Sequence, residues 1–143
     1  MTVVIGDRLL LDVLTRRAAQ APARDFEADG IFTTSAWYYR LGRAALSGTG
    51  TGSLSGRLAT FREDVRSNLL GDLRELPDDI GLLHPRVVVP VMFSLRVRRQ
   101  LNMLSAEALA VAILVSGSVL VTTDSPLIKS GAQELGIEYD QLS

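Results

Sequence analysis

The most constraining feature of this 143-residue chain is a repeated handover from a short, unbroken apolar run to a stretch with helical spacing. Thr2 to Ile5, Ile31 to Thr34, Val87 to Val89 and Val119 to Thr122 are such runs, and Ile137 to Tyr139 is a candidate fifth. A strand that is apolar at nearly every residue, rather than every second one, is covered on both faces, as strands of a parallel sheet are. The stretches between them predict helices over Asp7 to about Gln20, Ser35 to about Leu46, Arg57 to about Leu76, Phe93 to Met103, Ala106 to Val115 and Asp124 to Leu135. Leu58, Phe61, Val65, Leu69 and Leu73 recur at helical spacing in the third of these, and Gly136 closes the last as a C′ glycine would. Strands alternating with helices give an α/β class: a three-layer α/β/α domain around a short central parallel sheet, with residues 1–143 forming one domain.

Composition narrows the chemistry. There is no cysteine, which excludes disulfides, thiolate zinc sites and cysteine nucleophiles. The single histidine, His84, precedes a proline and reads as a loop residue. The formal net charge of −1 gives no global signal for nucleic acid or an anionic membrane. Lys129 is the only lysine among fifteen basic residues, so local basic patches are arginine patches, suited to gripping phosphate in a bidentate fork. The start lacks the basic-then-apolar pattern of a signal peptide. The longest apolar region, Leu109 to Val121, is broken at Ser116, Gly117 and Ser118, and a membrane span needs about 20 residues. The expectation is a cytoplasmic protein with no membrane partner.

Residues 47–56, Ser-Gly-Thr-Gly-Thr-Gly-Ser-Leu-Ser-Gly, predict a flexible loop. A P-loop would need Gly-Lys-Ser/Thr entering a helix, and a dinucleotide fingerprint would need a strand before the glycines. Neither condition is met.

In open parallel sheets, ligands gather beyond the carboxyl ends of the strands. Asp7 follows the first strand there, Asp124 follows the fourth, and Glu107 opens the apolar helix before it. Each could be a helix cap or a dipole partner. A carboxylate in a buried helix, however, needs a partner or a metal, and three converging carboxylates would call for an oxygen-seeking dication such as magnesium or manganese. Two arginine groups could meet phosphates: Arg40 with Arg43, three apart on one helix face, and Arg96 with Arg98 and Arg99. Trp37, Tyr38 and Tyr39 are suited to base stacking or to packing in a core or interface.

The stretch Leu-Ser-Ala-Glu-Ala-Leu-Ala-Val-Ala-Ile from Leu104, followed by Val-Leu-Val-Thr-Thr-Asp-Ser-Pro-Leu, resembles the carboxy-terminal half of PIN domains. Thr122, Asp124 and Leu127 match that family's Thr-x-Asp-x-x-Leu, Glu107 takes its acidic helix position, and Val-Val-Ile-Gly-Asp resembles its opening strand with the aspartate at Asp7. VapC-like toxins of toxin–antitoxin pairs are the group closest in size. The resemblance implies an endoribonuclease using Mg2+ or Mn2+, with Asp7, Glu107 and Asp124 as metal ligands and catalytic residues and Thr122 supporting them from behind. It also implies RNA as substrate, a homodimer and a small antitoxin protein as partner. Two positions depart from the pattern. Leu9 stands where Ser, Thr or Asn is usual, and Thr33 to Arg40 carries no acid where a glutamate is usual; Tyr38 fills that place, with Trp37 and Tyr39 as alternatives. The sequence therefore leaves two main readings open: a metal-dependent endoribonuclease, and a PIN-like domain without nuclease activity that binds RNA or a protein.

Overall fold

A computed structural model describes residues 1–22, 28–46 and 60–142. The predicted loop at 47–56, and the start of the helix expected from Arg57, lie outside the described residues. In chain order the elements are β1 (Thr2–Ile5), α1 (Asp7–Ala18), β2 (Gly30–Phe32), α2 (Ser35–Leu46), α3 (Glu63–Arg74), β3 (Ile80–Gly81), α4 (Pro85–Ser94), α5 (Met103–Val115), β4 (Ser118–Val121), α6 (Pro126–Leu135) and β5 (Tyr139–Gln141). The five strands form one all-parallel sheet in the order β3-β2-β1-β4-β5. The predicted three-layer α/β/α class is the one observed.

The sheet's alternation sorts its side chains into two cores. Val3, Ile5 and Leu120 point to one side, where Leu10, Leu14, Leu41, Leu69 and Leu73 of α1, α2 and α3 cover them. Val4, Val119 and Val121 point to the other, against Val88, Leu109, Ile128 and Ala132 of α4, α5 and α6. The inner strands β1 and β4 are apolar or small throughout because both of their faces are buried, whereas the edge strand β5, Tyr-Asp-Gln, has two exposed residues. Helix α2 spans the division: Leu41 belongs to the first core and Trp37 to the second.

Two expectations are corrected. Val87 to Val89 is not a strand but part of α4, and the third strand is the two-residue β3. His84 starts that helix: its Nδ1 accepts the N–H of Arg86 at 3.1 Å, and Pro85 occupies the first turn, where its missing N–H costs nothing. Packing then outweighs the β preference of the valines, since Val88 is buried against α5. The helix expected over Phe93 to Met103 is absent as well. α4 ends at Ser94, Leu95 turns to extended backbone, and Arg96, Arg98 and Arg99 lie in the connector before α5. Helix α5 begins earlier than expected, at Met103, with the Asn102 side chain accepting the Ser105 N–H at 2.8 Å. Gly136 does end α6, in the left-handed conformation at φ 70°. No helix of the described residues is long and apolar enough to cross a membrane.

Candidate functional site at the carboxyl edge of the sheet

The strand order reverses between β1 and β4: β1 leads by way of α1 to β2 on one side and pairs with β4 on the other. Such a switch point opens a crevice at the carboxyl ends of the strands. A cavity of about 160 Å3 lies there, lined by Asp7, Arg8, Trp37, Arg40, Thr122 and Asp124 among others. Asp7 reaches it because β1 ends at Ile5 and α1 begins at once; the Gly6 N–H still donates to the Leu120 carbonyl at 3.0 Å, tying this turn to β4. Asp124 reaches it from the turn after β4. The structure thus brings Asp7 and Asp124 to one cavity, with Thr122 between the strand and the second aspartate.

Each carboxylate has protein donors. Asp7 Oδ1 accepts its neighbour Arg8 N–H at 2.8 Å, and Oδ2 pairs with Arg40 Nε at 3.2 Å. The Asp7 side chain is only 13% exposed while that of Arg40 is 62% exposed, so the guanidinium reaches inward from solvent to a largely enclosed anion. Asp124 is exposed, and its Oδ1 accepts the Tyr139 hydroxyl at 2.9 Å; the same hydroxyl oxygen accepts the Ser125 N–H at 2.8 Å. Burial is the main force pushing the Tyr139 phenol above its ordinary range, the Asp124 carboxylate adds to this, and the Ser125 N–H opposes it.

Glu107 is placed differently. It is 5% exposed, does not line the cavity, and its Oε1 accepts the Ala36 N–H at 2.8 Å. Next to it, the Thr34 hydroxyl accepts the Trp37 N–H at 3.1 Å. Together they satisfy two of the donors that the first turn of α2 cannot pair internally, and the charge of Glu107 sits at the positive end of that helix. Among the described residues, no group of three or more Asp, Glu or His side chains gathers closely enough to hold one metal ion.

The register of α2 also resolves which of its side chains faces the acids. Tyr38 turns away, its hydroxyl donating to the Leu73 carbonyl of α3. Trp37 is buried behind the cavity, and Arg40 is the residue that meets Asp7. Arg43, one turn on, lines a separate, mainly apolar groove with Tyr39, Leu46 and Leu73. Arg96 and Arg99 do not line the cavity; nor does Arg98, which pairs with Glu134 of α6 at 3.6 Å. Asp29, before β2, lies at the opposite end of the sheet, its N–H donating to the Met1 carbonyl.

Sequence reasoning missed two participants. The Asp7–Arg40 pair has no local signature, because its partners lie on different helices. Tyr139 carries only a strand signal in the sequence; a tyrosine opening the last strand, which pairs with the strand before the Asp124 turn, is the available hint. Neither a protein-family model nor a curated protein matches this chain, so the reading of the site rests on its own geometry.

Proposed function

We propose that this chain is a PIN-like domain that binds single-stranded RNA at the carboxyl edge of its sheet without cleaving it. The observation that carries the reading is that all three predicted metal-ligating carboxylates are engaged by protein donors: Asp7 by Arg40, Asp124 by Tyr139 and Glu107 by the Ala36 N–H. A nuclease of the VapC-like kind would need those oxygens for Mg2+ or Mn2+. RNA is the favoured ligand because the edge presents arginine and aromatic groups together. Tyr39, Arg40 and Arg43 are exposed on α2; Arg40 lines the cavity with Arg8, and Tyr39 and Arg43 line the separate groove on the same helix. Arginine neutralises phosphates and an exposed ring can stack on an unpaired base.

A second reading, the metal-dependent endoribonuclease, is favoured by the shared cavity of Asp7 and Asp124 at the strand ends. One experiment separates the two. Labelled single-stranded RNA is titrated with protein in EDTA and in Mg2+ or Mn2+, with anisotropy read for binding and gels for cleavage. The expected result is salt-sensitive binding that is indifferent to the metal, with the RNA intact. Metal-dependent cleavage that disappears in Asp7→Asn and Asp124→Asn would replace the binding reading with the nuclease one.

A further inference from the structure

Asp7, the most enclosed acid of the cavity, has both carboxylate oxygens engaged by protein donors, and one of those donors is itself a cation. We infer that Arg40 is the resident cation of this site: its guanidinium stands in for a dication beside Asp7, and its charge keeps divalent ions out of the cavity. This rests on the reading of the edge as non-nucleolytic.

The asymmetry of the pair is the physical basis. A carboxylate as enclosed as that of Asp7 needs compensation for the water it has lost. The Arg8 N–H supplies a dipole to Oδ1, and Arg40 supplies the full positive charge paired with Oδ2 among the described residues. Arg40 itself remains mostly in solvent, held by a single Nε contact, so the fold does not depend on its side chain for packing. Removing that charge leaves an enclosed anion facing a cavity that also holds Asp124 and the oxygen-bearing residues Thr122, Thr123 and Ser125. Oxygen donors around two carboxylates are what Mg2+ and Mn2+ prefer. The position on α2 adds a second consequence. A carboxylate placed at residue 40 would project toward Asp7 from where the guanidinium now does, giving the cavity a third acid. Residue 40 is therefore the position that decides whether this edge holds a metal ion, and in this chain arginine decides against it.

The test is Mn2+ binding, read by calorimetry and by loss of the free-ion electron paramagnetic resonance signal, on the wild-type chain and on Arg40→Lys, Arg40→Gln and Arg40→Glu. Wild type and Arg40→Lys should bind no Mn2+ at millimolar concentration. Arg40→Gln should gain weak binding, and Arg40→Glu should bind at least tenfold more tightly than Arg40→Gln. Adding Asp7→Asn to Arg40→Glu should abolish the gain. Circular dichroism and thermal melts establish that each variant is folded, which the exposure of Arg40 leads us to expect. Three results would overturn the inference: Mn2+ binding by wild type comparable to that of Arg40→Glu, no binding by any folded variant, or equal binding by Arg40→Lys and Arg40→Glu. The RNA titration is separate. A chain that gains Mn2+ through Arg40→Glu but binds no RNA as wild type would keep this inference and remove the RNA reading. A chain that binds RNA but gains no metal would do the reverse.

Discussion

Asp7 and Glu107 both sit beyond the strand ends, and the fold uses them in opposite ways. Asp7 borders a cavity and is balanced by a side chain reaching in from water. Glu107 is sealed inside and is balanced by a backbone N–H of another helix. The difference lies in what each carboxylate would lose. If Asp7 loses its partner, solvent or an ion can take over. Glu107 has no such recourse, because it holds the start of α2 against α5. Position relative to the sheet edge therefore does not by itself make an acid part of a reactive site; burial and the identity of the donor separate the structural carboxylate from the accessible one.

Substitutions at the two acids should separate in size. Glu107→Ala removes the acceptor and leaves the part-buried Ala36 N–H unpaired, which should lower stability by about 1–3 kcal/mol. Glu107→Gln keeps an acceptor oxygen and should lose clearly less. Urea unfolding measures both, and equal losses would show that charge at the helix start, rather than the hydrogen bond, is what matters.

Tyr139 on the Asp124 side of the cavity should give an intermediate effect. Tyr139→Phe removes the hydroxyl that joins Asp124 to the Ser125 N–H, at a cost of about 0.5–1.5 kcal/mol near neutral pH. The pH dependence has a definite sign. The folded state raises the phenol's pKa, so it holds the proton more tightly than the unfolded chain does. That contribution is whole below the unfolded value of about 10 and is lost as pH rises through the folded value. Wild type should therefore lose stability over this alkaline range more steeply than Tyr139→Phe in melts recorded at successive pH values.

The smallest change in stability belongs to Asp7. With Arg40 mostly in solvent, Asp7→Asn should alter unfolding free energy by no more than about 1 kcal/mol. Its larger consequence is functional. Releasing Arg40 from its counter-charge should tighten RNA binding at low salt and steepen the salt dependence, as another phosphate contact would. Weaker binding in Asp7→Asn would mean that the carboxylate orients the guanidinium for RNA and does not compete with it.

Much of the fold was legible because burial on two faces writes itself into consecutive residues. Thr2 to Ile5 and Ser118 to Val121 are apolar or small at each position, and no helix or edge strand requires that. The limits of α2 were also legible, since Ser35 follows two threonines that favour a helix start. The misreading of Val87 to Val89 shows where local preference fails. Three β-branched residues look like a strand until the side chain of His84 and Pro85 at the first turn set a helix going and α5 buries Val88. β3, at two residues, is too short to leave a periodic signal at all.

The site divides along the same line. From sequence alone came the placement of Asp7 and Asp124 just past the ends of their strands; that β1 and β4 are neighbours with the switch point between them, so that both turns border one crevice, is a property of the assembled sheet. Which partner each acid takes was decided only in three dimensions. The turn of α2 points Arg40, and not Tyr38, at Asp7; the packing of α5 carries Glu107 to Ala36; the pairing of β5 with β4 brings the Tyr139 hydroxyl to Asp124. Hydrophobic periodicity is a local property and can be read along the chain. The compensation of an enclosed charge is settled by whichever donor the fold brings within about 3 Å, and that donor comes from elsewhere in the sequence.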